Sequence, residues 1–356
     1  MIYSPIALSI GDICGIGPEI IVQAFAQAPE HMAGCCVIGD VAVLQRAAEM
    51  VQAPGLRFQA VADISECLTL APNTIAVLAP SADAPLPSSA QLLALPIGQV
   101  QASAGRYAAA CIRTGANLAL RGKAAALVTA PIHKEALAAA GEPYPGHTEL
   151  LQAEAAAFAG RSLAQMPVRM MLANPDLRVV LVSVHQPLRL AIGNLNSASI
   201  AATIHIADSA LSRILHRRPK IAVAGLNPHA GEGGLFGREE IDTIAPAVAA
   251  CAALGVQVSG PYAPDTIFMR ARRQSDGKQE FDAVIAMYHD QGLIPVKYLG
   301  VADGVNYTLG LPLVRTSPDH GTAFDIAGTG RADCSSLQEA VRQAQAAAGA
   351  SSHAQN

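Results

Sequence analysis

Residues 283–300 read AVIAMYHDQGLIPVKYLG. A mostly apolar run delivers Tyr288, His289, Asp290 and Gln291 in succession and then a glycine. A short continuous apolar run bounded by such punctuation is the pattern of a strand buried on both faces. Two other runs end in the same way. RVVLVSV (178–184) stops at His185, and KIAVAGLNP (220–228) stops at His229. Further apolar runs at IALSIGD (6–12), CCVIGD (35–40), TIAVLAP (74–80) and AAALVTAP (124–131) alternate with Ala- and Leu-rich stretches such as PEIIVQAFAQA (18–28) and GRYAAACIRTGANLAL (105–120). Buried strands separated by helices predict an α/β fold of the doubly wound type, with mainly parallel sheets covered on both faces.

The chain has 356 residues, too many for one ordinary core, which predicts two domains. Hydrophobic residues make up 51% and charged residues 15%, ample material for a large interior. With no Trp and only 4% aromatics, packing must rest on Ala, Leu, Ile and Val. The net charge of −4 and the lack of a long basic run argue against a nucleic-acid partner. No apolar run approaches the roughly 20 residues needed to span a bilayer, so no membrane partner is expected. The start MIYSPIALSIGD lacks the basic region of a signal peptide. Seven cysteines without a CxxC pair read as reduced thiols, and the expected location is cytoplasmic.

In parallel α/β sheets, ligands bind beyond the carboxyl ends of strands. Three strands that each present a histidine there can converge on one point. Imidazole suits Zn, Co, Ni or Fe, and nearby carboxylates widen the range toward Mn and Mg. Asp290 and Asp265 are candidates to orient a histidine or to relay a proton. A second group is cationic or polar: His147 and Thr148 in YPGHTELL (144–151), Lys297, and Asn306 and Arg315 around YTLGLPLV. Such residues recognise phosphate or carboxylate, although ordinary surface positions would have the same composition. A third group lies in SPDHGTAFDIAGTGRAD (317–333), where Gly321, Gly328 and Gly330 permit close backbone approach and His320, Thr322 and Asp325 offer polar contacts. His31, His205, His216 and His353 lie in helical or tail contexts and read as structural, while His133, in PIHKEAL, is left without a role. The turn at Gly15-Ile16-Gly17 followed by Pro18 fits the start of a helix, but it is neither GxGxxG nor a Walker A loop.

Taken together, GDICGIGPEI, YPGHTELL, GLNPHAGEGGLFGREEID, PDTIFMRA, AMYHDQGLIPVKYLG and GVNYTLGLPLVRTSPDHGTAFDIAGTGRAD resemble the 4-hydroxythreonine-4-phosphate dehydrogenase family and its close paralogues. The resemblance runs from about residue 6 to 340. HGTAFDIAG also resembles the adenosine-binding loop of isopropylmalate and isocitrate dehydrogenases, a superfamily that binds NAD without GxGxxG. The resemblance implies an isocitrate/isopropylmalate dehydrogenase-like fold in two lobes. Residues 1–128 and 300–340 would form a nucleotide-binding lobe, residues 129–299 a metal, substrate and dimerisation lobe, and residues 341–356 a tail. It implies one divalent metal (Zn, Co, Mn or Mg) on His185, His229 and His289, gathered across a homodimer interface. Substrate contacts would come from His147, Thr148, Lys297, Asn306 and Arg315, and NAD or NADP contacts from His320, Gly321, Thr322, Asp325 and Gly328. Asp290, Asp265 and Lys297 are the candidate catalytic groups. Cys14 departs from the usual pattern of the first loop without touching any of these positions.

The activity implied is metal- and NAD(P)-dependent oxidation, with decarboxylation, of 4-phosphooxy-L-threonine to 3-amino-2-oxopropyl phosphate in pyridoxal phosphate synthesis. YPGHTELL and FDIAGTGRAD are closer to paralogues acting on four-carbon phosphorylated sugar acids, so D-threonate or D-erythronate 4-phosphate is the alternative substrate. A paralogue type that oxidises aromatic dihydrodiol dicarboxylates is disfavoured by His147, Thr148 and Arg315, which suit a phosphate. Readings of another class are a phosphate acyltransferase, which would not need three metal histidines, and a metal-dependent hydrolase.

Overall fold

The computed structural model describes residues 4–300 and 303–349. The strands are β1 (Ile6–Ser9), β2 (Cys35–Ile38), β3 (Arg57–Val61), β4 (Thr74–Leu78), β5 (Ala126–Thr129), β6 (Arg169–Ala173), β7 (Arg178–Leu181), β8 (Ile221–Ala224), β9 (Val258–Tyr262), β10 (Ala283–Ala286), β11 (Val305–Leu309) and β12 (Arg315–Pro318). Of the runs read as strands buried on both faces, β1, β2, β5, β8 and β10 are buried at every residue, while β4 and β7 are buried except at half-buried ends. Helices connect most of them, as parallel pairing requires. No helix among the described residues is long and apolar enough to cross a membrane.

The chain divides into two compact units. The first holds the described residues up to Pro167 together with those from Leu311 onward. Its strands lie in the order β3-β4-β2-β1-β5-β12, all parallel. The second unit, Val168–Gly310, has the order β11-β6-β7-β10-β8-β9. There β7, β10, β8 and β9 run parallel, while β6 is antiparallel to both neighbours. Its core gathers Leu172, Val179, Leu181, Val284, Leu293 and Val296. Each such side chain withdrawn from water contributes about 1.5–3 kcal/mol before chain entropy is counted.

The unit boundaries fall later than 128/129 and 299/300, for identifiable reasons. Residues 129–167 stay with the termini because the helix His147–Phe158 is tied to the helix Ala102–Leu120. Arg113 donates to Glu142 at 2.9 and 2.6 Å and to Glu154 at 3.0 Å. Residues 303–310 belong to the second unit because β11 pairs with β6 over its full length. The tail expected from residue 341 is instead the end of a helix, Ser335–Gly349, as far as 349. Its Val341, Ala344, Ala347 and Ala348 are buried, and Thr316 donates to the Ala340 carbonyl at 2.8 Å. An Ala-rich run is a strong helix former once one face has a surface to cover. Residues 350–356 of that tail lie outside the described residues.

A candidate active site at three strand ends

Strands β7, β10 and β8 are adjacent and parallel, so their carboxyl ends share one edge of the second unit. His185, His289 and His229 follow these strands within a few residues. The His185 and His289 rings approach to 5.7 Å between centroids, tilted by 45°. His289 opens the helix His289–Leu299, and its Nδ1 lies 2.7 Å from Asp290 Oδ1. With the carboxylate accepting the Nδ1 proton, Nε2 carries the lone pair that a cation needs. The two rings border a cavity of about 250 Å³ lined also by Ser183, Leu188, Tyr288 and Asp290. Ser183 Oγ is buried there with no hydrogen-bond partner.

Neighbouring residues fix this geometry. Gln291 accepts from Met287 N at 2.7 Å and donates to the Gly225 carbonyl at 2.6 Å, joining the loop after β10 to the loop after β8. A Cβ at Gly292 would lie 2.6 Å from Leu181 Cδ2 and 2.7 Å from Val179 Cγ1. Only a glycine lets the helix 289–299 rest this closely on β7. Both residues stand inside the YHDQG motif, yet nothing in its spacing names their partners.

His229 sits differently. It opens a left-handed run in which His229, Ala230, Gly231, Glu232 and Gly233 all have positive φ, from 43° to 81°. For non-glycine residues this conformation costs about 1–2 kcal/mol each and persists only under external constraint. Glu240, 2% exposed, supplies that constraint. One carboxylate oxygen accepts from the Leu226 and Asn227 amides, each at 2.7 Å, and the other from Asn227 Nδ2 at 2.9 Å. The His229 ring faces Phe236, with centroids 6.1 Å apart. Among the described residues no three His, Cys, Asp or Glu side chains come together closely enough to hold a metal ion. One chain therefore pairs His185 with His289 and does not bring His229 to them. Asp265 is exposed beyond β9, and Lys297 is exposed in the last turn of the helix 289–299. Asn306 is half-buried in β11.

The first unit holds the other candidates. Arg315, 4% exposed, opens β12 and donates to Thr129 Oγ1 at 2.7 Å. Burial pulls its guanidinium down to about 9, which leaves it charged at neutral pH. His147 begins the helix His147–Phe158, and its Nε2 is buried without a partner. Burial, then the Arg315 cation, push His147 well below the usual imidazole value, against a bond to the Ala130 backbone. The buried Arg315 cation suits an anionic group, while the one proton of the neutral His147 ring is committed to the Ala130 backbone and its Nε2 offers only a lone pair. Thr148 follows, half-buried. In the glycine-rich segment Thr322 is buried, while Gly321 and Asp325 are exposed. Gly328 adopts φ +82°. His320 Nδ1 lies 3.1 Å from the Gly321 carbonyl, and its Nε2 is buried without a partner. His133, given no role from sequence, stacks on Phe324 at 4.6 Å.

Known proteins of similar sequence and structure show the family. The chain is 47% identical over 341 residues to the 4-hydroxythreonine-4-phosphate dehydrogenase of Beijerinckia indica, covering 96% of this chain and 94% of the relative. It is 45% identical over 339 residues to the D-threonate 4-phosphate dehydrogenase of Salmonella typhimurium, covering 95% and 97%. The crystal structure of the Klebsiella pneumoniae 4-hydroxythreonine-4-phosphate dehydrogenase superposes with a TM-score of 0.84 at 44% identity, covering 97% and 98%. Fold and relatives place the chain among the α/β dehydrogenases. Residues 31–344 match the model of the pyridoxal phosphate biosynthetic protein PdxA, and the chain belongs to that family.

Proposed function

We propose that this chain oxidises and decarboxylates 4-phosphooxy-L-threonine to 3-amino-2-oxopropyl phosphate, using NAD or NADP and one divalent metal. The observation that carries the reading is the His185–His289 pair at 5.7 Å, braced by Asp290 and bordering a cavity. The donor set fits a cation: two imidazoles face each other, and one has its second nitrogen held by a carboxylate. His229 is the third donor, supplied by a second copy of the chain. Exposed Leu188, Leu190, Ile192, Leu235, Phe236 and Ile294 support that arrangement, since Phe236 adjoins His229 and Leu188 lines the cavity. The seven free thiols fit a reducing, cytoplasmic setting.

Arg315 holds the substrate phosphate, with the Thr148 hydroxyl and the His147 ring beside it in the first unit, and Asn306 is a substrate contact offered by the second. Anchoring a remote phosphate orients the carbon that reacts. When bound, the metal supplies Lewis acidity toward the secondary hydroxyl and the nicotinamide accepts the hydride. The proton leaving that hydroxyl passes to the Asp290 carboxylate or to Asp265, directly or through water. Lys297 offers a cation toward the carboxylate that departs as carbon dioxide, and a returned proton completes the ketone.

D-threonate 4-phosphate is the second reading, favoured by the 45% identity to an enzyme named for it. The two substrates differ at C2, where one carries an amine and the other a hydroxyl. Nicotinamide absorbance measured with a panel of both phosphates, plus D-erythronate 4-phosphate, tests the proposal. Reduction with the amino substrate at a kcat/KM above that of the hydroxy acids is the expected result. Preference for a hydroxy acid transfers the assignment to the second reading. No reduction with any of them, in metal-loaded protein, overturns both and favours acyl transfer or hydrolysis.

A further inference from the structure

Glu19 is a buried carboxylate that the proposed chemistry does not use. It lies in the first turn of α1 (Gly17–Gln27) and is 2% exposed. Its two oxygens accept from the backbone of the glycine-rich segment: Oε1 from Gly328 N at 2.5 Å and Oε2 from Gly330 N at 2.8 Å. One turn further on, Gln23 donates to the Gly330 carbonyl at 3.1 Å. Just before the helix, Ile16 N donates to the Thr322 carbonyl at 3.0 Å. A Cβ at Gly15 would lie 2.9 Å from that same carbonyl, so the two backbones are in direct contact. Four hydrogen bonds from the start of a single helix thus hold residues 322–330, which have no regular secondary structure of their own.

A buried carboxylate needs partners, and bonds from a charged acceptor are about twice as strong as neutral ones. Glu19 directs both of its oxygens to amides of one loop, so its charge is committed to that loop's shape. Gly328 and Gly330 are left-handed, at φ +82° and +70°, a conformation open to glycine without strain, which lets their amides turn toward the Glu19 carboxylate. The same loop presents exposed Asp325 and the buried, unpartnered Nε2 of His320, polar groups that await a ligand.

We infer that Glu19 is a positioning residue for the dinucleotide: it holds the 320–330 loop ready to receive the adenosine end of NAD or NADP, and so sets cofactor affinity without touching the reacting atoms. The inference rests on the reading of this loop as the cofactor site. A loop that is competent only part of the time weakens apparent binding in proportion to the competent fraction.

The test is steady-state kinetics on Glu19→Ala, Glu19→Gln, Gln23→Ala and Asp325→Ala, with cofactor and substrate varied separately. Glu19→Ala is expected to raise the cofactor KM about tenfold while kcat at saturating cofactor stays within about twofold of wild type. Glu19→Gln keeps one acceptor and should fall between; Gln23→Ala should shift the same parameter less. These two variants decide the matter if Glu19→Ala does not fold. A general structural defect would instead lower kcat and active fraction with the cofactor KM unmoved, and that result overturns the inference. Asp325→Ala separates the two levels. If Asp325→Ala raises the cofactor KM and the Glu19 and Gln23 variants do not, the inference on Glu19 fails alone. If none of the four moves it in an enzyme that reduces nicotinamide, the loop is not the cofactor site and both fail together.

Discussion

His289 shows how one side chain is prepared by its immediate neighbour. Asp290 fixes the ring through a 2.7 Å contact, and replacing the carboxylate by an amide should weaken that hold. Asp290→Asn is expected to lower metal affinity by about 10–100-fold, read by titrating metal into stripped protein and following activity. Full turnover at normal metal content would reject the role of Asp290. His147 makes a second prediction through its suppressed basicity. The unfolded chain takes up a proton on this imidazole near pH 6.5, whereas the folded chain resists until lower pH. Stability therefore falls as pH drops below about 6.5, by up to about 1.4 kcal/mol per unit until the folded-state value is reached. Urea titrations at several pH values should show this slope, and His147→Asn should reduce it. Cys14, in the first loop, has its thiol pushed up to about 12 by burial and then by the Asp12 carboxylate. It stays protonated, fully buried, and presents no reactive group to the site.

The helix 289–299 and the loop after β8 are the elements that carry the histidines, and both were only half legible in the sequence. Apolar runs ending in histidine identified β7, β8 and β10, because buried parallel strands have few other signatures. The tie from Gln291 to Gly225 joins residues 66 apart, and no local pattern encodes such a bond. The left-handed run at 229–233 was equally invisible, since it depends on Glu240 reaching back from the next helical turn. Gly292→Ala tests the seating of the helix on β7. Overpacking against Val179 and Leu181 should destabilise the fold by about 1–3 kcal/mol in urea unfolding and reduce metal retention. A neutral outcome would mean that the helix can lift without consequence for His289.

For the whole chain, alternation of buried strands and helices was enough to predict the α/β class, which the sheet topology bears out. Unit boundaries were less accessible. They depend on Arg113 reaching Glu142 and Glu154, and on an antiparallel partner for β11, both contacts between segments distant in sequence. The site itself exceeds one chain in the proposed assembly, because His229 does not meet His185 and His289 within a protomer. The most direct measurement mixes two inactive variants. Co-expressed His229→Ala and His289→Ala subunits would form hybrid dimers in which one site draws all three imidazoles from intact positions and the other lacks two. Random pairing then restores about a quarter of wild-type activity and metal content, while each variant alone stays inactive. Hybrid dimers that form but recover neither activity nor metal would show that His229 is not shared with His185 and His289 across the subunits.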